Sequence, residues 1–288
     1  MTRGDPARDS PAYRNLDPHT VAGFGQEWAA YDQTRLPDAE LEAIFESYFS
    51  IFPFESLPSG AEGMDVGCGS GRWADLVLSR VGRLHCIDPS EKALNVAKRR
   101  LDGRAGAEFH LASVDNMPIG DASQDFGYSL GVLHHVPDPQ AALKQCVSKL
   151  KLGAPFLIYL YYRFDNRTSA FRSLWRASDL IRQGVSRLPF PFRKAVTATL
   201  ASFVYWPLAR AAKAAERAGM SIDEFPLSSY RNLSFYTMRT DALDRFGTRL
   251  EHRFSKAEVA SMMTAAGLGD VRFSDRVPFW VACGRRIS

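Results

Sequence analysis

Residues 61–72, AEGMDVGCGSGR, decide the fold. A short apolar approach (Met64, Asp65, Val66) runs into three glycines at alternate positions, Gly67, Gly69 and Gly71, and a helical pattern begins at Arg72. Glycines at that spacing let the main chain turn sharply and approach a ligand with no β-carbon in the way. Seventeen residues after Gly71 the apolar run Leu84–Ile87 ends in Asp88. A carboxylate at the end of a second strand is where a doubly wound sheet holds a ribose diol. The glycine run by itself also fits a nicotinamide or flavin site, or a plain tight turn. Two details narrow it. The third glycine follows the second by two residues, not three, so the dinucleotide fingerprint is not met. Asp65, at the end of the first strand, is a poor residue to face a pyrophosphate and a good one to face a sulfonium or an amino group.

Working outward, residues 63–162 alternate strand and helix as a parallel sheet requires. The pattern predicts strands at Gly63–Gly67, Arg83–Asp88, Glu108–Ala112, Phe126–Leu130 and Pro155–Tyr162, with helices at Arg72–Arg80, Ser90–Leu101 and Pro139–Leu150 between them. Right-handed crossovers bring the strand ends to one edge, and a ligand belongs there, outside the carboxyl ends of the first and fourth strands. The last part of the chain predicts a helix over Ser255–Ala266, capped by Ser255 and stopped by Gly267. Strands at Asp270–Ser274 and Pro278–Gly284 then form a closing antiparallel edge.

The segment DVGCGSGRW (65–73) resembles the nucleotide-binding loop of class I S-adenosylmethionine (SAM) dependent methyltransferases. The order apolar strand, Leu130–His135 (LGVLHH), Val136–Asp138 (VPD), amphipathic helix, LKLG and apolar strand is similar to the methyl-transferring enzymes typified by ubiquinone and menaquinone biosynthesis. Together these motifs span about residues 60–162. They are specific for fold and cofactor but not for the acceptor, which in that family presents carbon, oxygen, nitrogen or arsenic. The resemblance implies an α/β, Rossmann-like seven-stranded methyltransferase sheet with an N-terminal helical lid, and residues 163–250 depart from the family pattern as a mainly helical insertion before the last helix and strand pair. It implies SAM as cofactor and S-adenosylhomocysteine as product. Asp65, Gly67 and Gly69 would lie at the methionine portion, beside Leu130 and Gly131, with Gly71 also at the cofactor; Arg72 would reach its carboxylate, and Asp88 would hold the ribose. The turn after the third strand departs from the family pattern, because Ser113 stands where an aspartate commonly receives the adenine amino group. Ser113 and the Val114 backbone then frame adenine, with Asp115 either substituting or capping a turn. His134 and His135 are the acid–base candidates at this edge, or they tie the loop to the following helix. In-line displacement from a sulfonium draws much of its rate from positioning, so a general base is not obligatory.

In Val21–Asp32, Phe24, Trp28 and Tyr31 fall at i, i+4 and i+7, one face of a helix. Such a stripe is core, or it is a lid whose Trp28 and Tyr31 line the SAM pocket by cation–π attraction. A second helix, Asp38–Phe49, follows with Asp38 as N-cap. The organisation is thus 1–55 tail and lid helices, 56–162 SAM-binding core, 163–250 helical insertion capping the acceptor, and 251–288 closing helix and hairpin. With 288 residues, 45% hydrophobic and 24% charged, the chain reads as a globular enzyme with an added element. The polar tail MTRGDPARDSP looks loose and resembles no signal peptide, so a cytoplasmic location is expected. Cys68, Cys86, Cys146 and Cys283 show no paired spacing, which argues for reduced buried thiols and against a zinc site; no metal is expected.

The insertion carries its own charge. Residues 163–218 hold eleven basic against three acidic side chains, while the whole chain is only +4. A solvated helical face, an anionic acceptor and an anionic membrane surface all fit. Residues 195–209, AVTATLASFVYWPLA, are uncharged but too short to span a bilayer; a core helix, a homodimer contact and a segment lying at a membrane with a lipid-like acceptor remain open. No RNA-binding module accompanies the basic residues, and no nucleic-acid partner is expected. Tyr236 and Arg239, where the chain returns to the sheet, are candidate acceptor-pocket walls. The expected activity is methyl transfer from SAM to a small-molecule acceptor held under the N-terminal segment and the insertion. Two rivals are a same-fold enzyme that cyclises the amino-acid portion of SAM and releases methylthioadenosine, and a non-catalytic SAM-fold subunit or membrane-associated scaffold.

Overall fold

The structure is a computed structural model and describes residues 15–288. The tail expected to be loose falls within residues 1–14, outside the described residues. The chain divides into two compact units. The first comprises the described residues to 29, 45–163 and 250–288; the second comprises 30–44 and 164–249.

The first unit is built on a seven-stranded sheet in the order β3-β2-β1-β4-β5-β7-β6. Its strands are β1 (Glu62–Val66), β2 (Arg83–Asp88), β3 (Ala107–Leu111), β4 (Phe126–Leu130), β5 (Pro155–Tyr159), β6 (Leu268–Phe273) and β7 (Val281–Arg286). The first five are parallel and β7 runs antiparallel to both β5 and β6, as the closing hairpin requires. Switching from β1 outward in both directions opens a crevice at the carboxyl ends of β1 and β4. The predicted fifth strand is three residues too long. Beyond Tyr159 the chain leaves the ladder, and only an isolated bridge joins Tyr162 to Phe254.

Helices α1 (Pro18–Ala30), α2 (Asp38–Phe49), α3 (Arg72–Val77), α4 (Glu91–Arg100), α5 (Pro139–Lys149) and α10 (Lys256–Ala265) accompany the sheet sequence. Their starts follow the capping residues: Ser90 accepts from Ala93 N–H, Asp138 from Ala141 N–H, and Ser255 forms a capping box with Glu258. α1 ends one residue before Tyr31, so the predicted three-ring helical face is only two rings long. Asp32 stops it. Its Oδ1 accepts from Thr34 N–H and Oγ at 3.1 and 2.7 Å while Gln33 turns left-handed (φ 65°). Between β3 and β4 the connection contains no α-helix, only the 3₁₀ turn Val114–Asn116. No residue of β3 is buried.

The second unit packs α6 (Ser169–Val185), α7 (Phe190–Leu200), α8 (Trp206–Arg217) and α9 (Phe235–Gly247). Residues 190–217 form one helical rod whose middle turn, Ala201–Tyr205, is π-helical. Pro207 explains the widening: it has no N–H to give and its ring crowds the preceding turn. Arg193, Thr197, Ala201, Tyr205 and Ala209 are buried along the rod, and Ala201, Tyr205 and Ala209 pack with Met238, Ala242 and Phe246 of α9. The uncharged run is therefore core along this face. Phe203, at 78% exposure, marks the other.

Both ends of α9 are capped by charge. At its start Glu40 accepts from Ser234 N–H at 3.0 Å and from the Thr237 hydroxyl at 2.6 Å. At its end Arg193 donates to the Gly247 carbonyl at 3.1 Å and Arg182 to that of Thr248 at 2.9 Å. A carboxylate at the amino end and guanidinium groups at the carboxyl end oppose the helix dipole. Part of the basic excess of the insertion thus serves the fold. Glu40→Ala is expected to destabilise the protein by about 1–2 kcal/mol, because it strips the start of α9 of its acceptor; urea unfolding of the variant with an unchanged midpoint would refute this.

Candidate functional site

The glycine loop follows β1 with three left-handed residues, Gly67 (φ 81°), Gly69 (φ 54°) and Gly71 (φ 73°). Glycine is required for more than the dihedrals. A Cβ on Gly67 would lie 2.4 Å from a Val132 methyl, and one on Gly69 would meet the Trp28 indole at 3.0 Å. Trp28 therefore lies against the loop, although it is not among the residues that line the cleft described below. Arg72, expected at a ligand carboxylate, has its guanidinium 4.3 Å from the Trp73 ring centroid and 5.7 Å from that of Trp28.

Asp88 closes β2 beside this loop. Its Oδ2 accepts the Gly69 N–H at 3.0 Å and its Oδ1 accepts the Ser90 N–H at 2.8 Å. Burial raises its pKa to about 6, and the two N–H groups pull the other way. Asp65 lies beneath the loop at 2% exposure, with the Tyr128 hydroxyl donating to its Oδ2 at 2.9 Å. Burial, reinforced by the charge of Asp88, raises its pKa to about 8 against the Tyr128 bond. At neutral pH it is mainly a neutral acid sealed in the interior and does not line the cleft described next. Cys68 is buried, and its bond with Cys86 and its burial push its thiol well above the usual range, so it is no nucleophile.

A cleft of about 440 Å³, including its open mouth, lies at the carboxyl ends of β1 to β4. Gly67, Pro89, Ser113, Val114, Val132 and His135 line it from the sheet side. Asn15, Asp17 and Val21 line it from the amino-terminal segment, a contribution that no sequence pattern signalled. Asn15 is fastened at both ends of the cleft: its N–H donates to Asp115 Oδ2 at 2.6 Å, and its side chain exchanges two bonds with the Asp138 backbone at 2.7 and 2.6 Å. Asp115 thus anchors the strap. Leu130 and Gly131 do not line the cleft; the Gly131 N–H donates to the Tyr159 carbonyl at 3.1 Å, and Val132 is the residue that reaches the cavity.

The histidine pair splits. His134 is completely buried, 3.9 Å from the Tyr161 ring, with neither ring nitrogen hydrogen-bonded. Burial first, then its neighbour His135, hold it well below the usual imidazole range. It is a neutral packing residue, contrary to the acid–base expectation, because the 3₁₀ turn Leu133–His135 aims it away from the cleft. His135 lines the cleft, packs against Phe24 at 5.0 Å, and its Nδ1 lies 2.7 Å from the Leu250 carbonyl. A carbonyl only accepts, so the proton sits on Nδ1 and Nε2 carries the basic lone pair.

In the second unit, Tyr31, Lys194, Tyr236 and Arg239 come together. Tyr31 is buried, and the Arg239 and Lys194 cations lie 4.6 and 5.1 Å from its ring centroid. Tyr236 meets it edge-on at 6.1 Å and accepts the Gln33 N–H at 2.9 Å. Tyr31, expected with Trp28 at the cofactor, thus belongs to the cluster of Tyr236 and Arg239. The early end of α1 is the cause.

Sheet order, glycine loop and cleft together have the architecture of the Rossmann-like methyltransferase fold. Residues 64–158, about a third of the chain, match the family described as a methyltransferase domain. It is 31% identical over 153 residues to a ubiquinone biosynthesis O-methyltransferase of Idiomarina loihiensis, covering 51% of this chain and 62% of that protein. The chain thus spans about six-tenths of the length of such relatives. Among solved structures, a SAM-dependent methyltransferase from Aquifex aeolicus superposes with a TM-score of 0.50 at 15% identity, covering 89% of this chain and 96% of that one. Human N-acetylserotonin methyltransferase in complex with SAM gives 0.52 at 14% identity, covering 92% and 57%. At such identities the likeness is one of fold. Among the described residues no helix is long and apolar enough to cross a membrane.

Proposed function

We propose that the first unit binds SAM in this cleft and that the protein transfers the methyl group to a hydroxyl of a small-molecule acceptor. The observation that carries the reading is the end of β2, where Asp88, itself buried and fixed by the Gly69 and Ser90 N–H groups, stands between the cleft-lining Ile87 and Pro89, the place at which a ribose diol would meet it. The residues fit the nucleoside. Ile87, Pro89, Ala112 and Val132 give apolar walls for a base, and Ser113 and Val114 offer polar groups at its edge. Bound SAM supplies an electrophilic methyl on a sulfonium. The chain's own part is to hold, orient and deprotonate. His135, with its Nδ1–H committed to Leu250, takes the acceptor proton at Nε2. An oxygen acceptor agrees with the O-methyltransferase names of the relatives.

Acceptor selection is assigned to the second unit. Two cations beside Tyr31, with the buried Arg239 Nε lacking a hydrogen-bond partner, suit an anionic or electron-rich acceptor. Asp88→Ala is expected to weaken SAM binding in calorimetry by about 1–3 kcal/mol through lost ribose bonds, and S-adenosylhomocysteine is the expected product. Unchanged affinity would remove the cofactor assignment; methylthioadenosine as product would remove methyl transfer.

A further inference from the structure

The missing helix between β3 and β4 leaves polar chemistry on a sheet face that is otherwise core. In the parallel register His85 of β2 pairs with Glu108 of β3, and Met64 of β1 pairs with His85, so these side chains share a face. His110, two residues past Glu108, joins them. Their donor atoms converge: His85 Nδ1 lies 2.9 Å from His110 Nε2 and 3.3 Å from Glu108 Oε2, and all three lie within 4.8 Å of one another.

The geometry points to a binding site for a divalent first-row transition-metal ion, with His85 Nδ1, His110 Nε2 and Glu108 Oε2 as its protein ligands. An ion about 2.0–2.2 Å from each donor spans donor–donor edges of roughly 2.9–3.5 Å, which the two measured edges meet. The surroundings are those of a supported site. His85 Nε2 lies 2.8 Å from Glu62 Oε1, and a carboxylate accepts only, so the proton sits on Nε2 and the Nδ1 lone pair faces the other two donors. Arg83 occupies the other oxygen of Glu108 at 3.3 Å, which turns Oε2 inward. Glu62 and Glu108 against Arg83 leave one net negative charge before an ion enters. Two imidazoles and a carboxylate favour zinc, nickel, copper or cobalt over magnesium or calcium. Glu108 and His110 are half-exposed, so the ion enters from solvent and water completes its shell. In the metal-free protein His110 Nε2–H donates to His85 Nδ1; on binding, His110 carries its proton on Nδ1 instead, and no other group changes charge. The ion cross-links the exposed edge strand β3 to β2.

The test is calorimetric titration of the untagged full chain with Zn²⁺, repeated on His110→Asn and Glu108→Gln, with the visible spectrum of the Co²⁺ form as the second readout. The expected result is one Zn²⁺ per chain, a Co²⁺ spectrum of a nitrogen and oxygen site without thiolate charge-transfer bands, a higher melting temperature with Zn²⁺, and affinity lowered roughly tenfold or more in either variant. SAM affinity and circular dichroism of the variants serve as folding controls. No stoichiometric binding by the wild-type chain, thiolate bands, or undiminished binding by His110→Asn, which keeps all four cysteines, would overturn the site.

Discussion

Gly67→Ala is expected to abolish measurable SAM binding and to lower the melting temperature. The new methyl would sit 2.4 and 2.5 Å from the two Val132 methyl carbons, inside the packing between β1 and the loop after β4. It would also hold an L-residue at φ 81°. Left-handed backbone costs about 1–2 kcal/mol and overpacking about 1–3 kcal/mol, so the loss of stability is on the order of 2–5 kcal/mol. The double variant Gly67→Ala/Val132→Ala separates the two parts: it relieves the collision but not the dihedral, so part of the stability should return. A single variant that binds SAM and melts like the wild type would show that the loop does not cradle the ligand.

Asp65→Asn is expected to stabilise the protein at neutral and alkaline pH and to leave it unchanged in acid. The carboxyl of Asp65 rises from its ordinary value of 3.8 to about 8 on folding, through burial. Between those values the folded protein keeps a proton that the unfolded chain has released, so stability is full below about pH 4 and falls as pH rises toward 8. Asparagine keeps the shape and still accepts the Tyr128 hydroxyl, without any charge to bury. Near pH 8 the variant should be more stable by on the order of 2–5 kcal/mol, with the difference vanishing near pH 4. Asp88 contributes a slope of the same sign up to about pH 6 in both proteins. His134, held neutral by burial, acts in the opposite sense, losing stability as pH falls below the ordinary imidazole value. Comparison of the two proteins across pH by denaturant unfolding isolates Asp65; a constant difference would mean that its carboxyl is ionised in the fold.

The parts of the fold that were legible in the sequence are those written in local chemistry. Gly67, Gly69 and Gly71 announced a sharp turn bare of β-carbons, Ser90 and Ser255 announced helix starts, and apolar runs announced the strands. Asp88 could be placed because strand ends converge in this architecture. Other features depend on long-range geometry. Asn15 looks like any polar tail residue until Asp115 and Asp138, a hundred residues away or more, prove to hold it. His134 and His135 are equivalent as letters, and only the rotation of about 120° between neighbours along one 3₁₀ turn sends one inward and one to the cleft. Tyr31 continues the stripe of Phe24 and Trp28 on paper, but Asp32 breaks the helix first. His85 and His110 stand 25 residues apart and become neighbours only through strand register.

The π-helical turn before Pro207 has a consequence for phase. Positions 193, 197, 201, 205 and 209 recur every four residues, and along an α-helix of 3.6 residues per turn such a line creeps forward by about 40° at each step. Left uncorrected, it would travel nearly halfway round the rod and carry Ala209 away from the side on which Arg193 began. A wider turn advances fewer degrees per residue, so the segment 201–205 winds the line back midway. The proline that denies the helix a bond thereby keeps both of its halves facing the same partner.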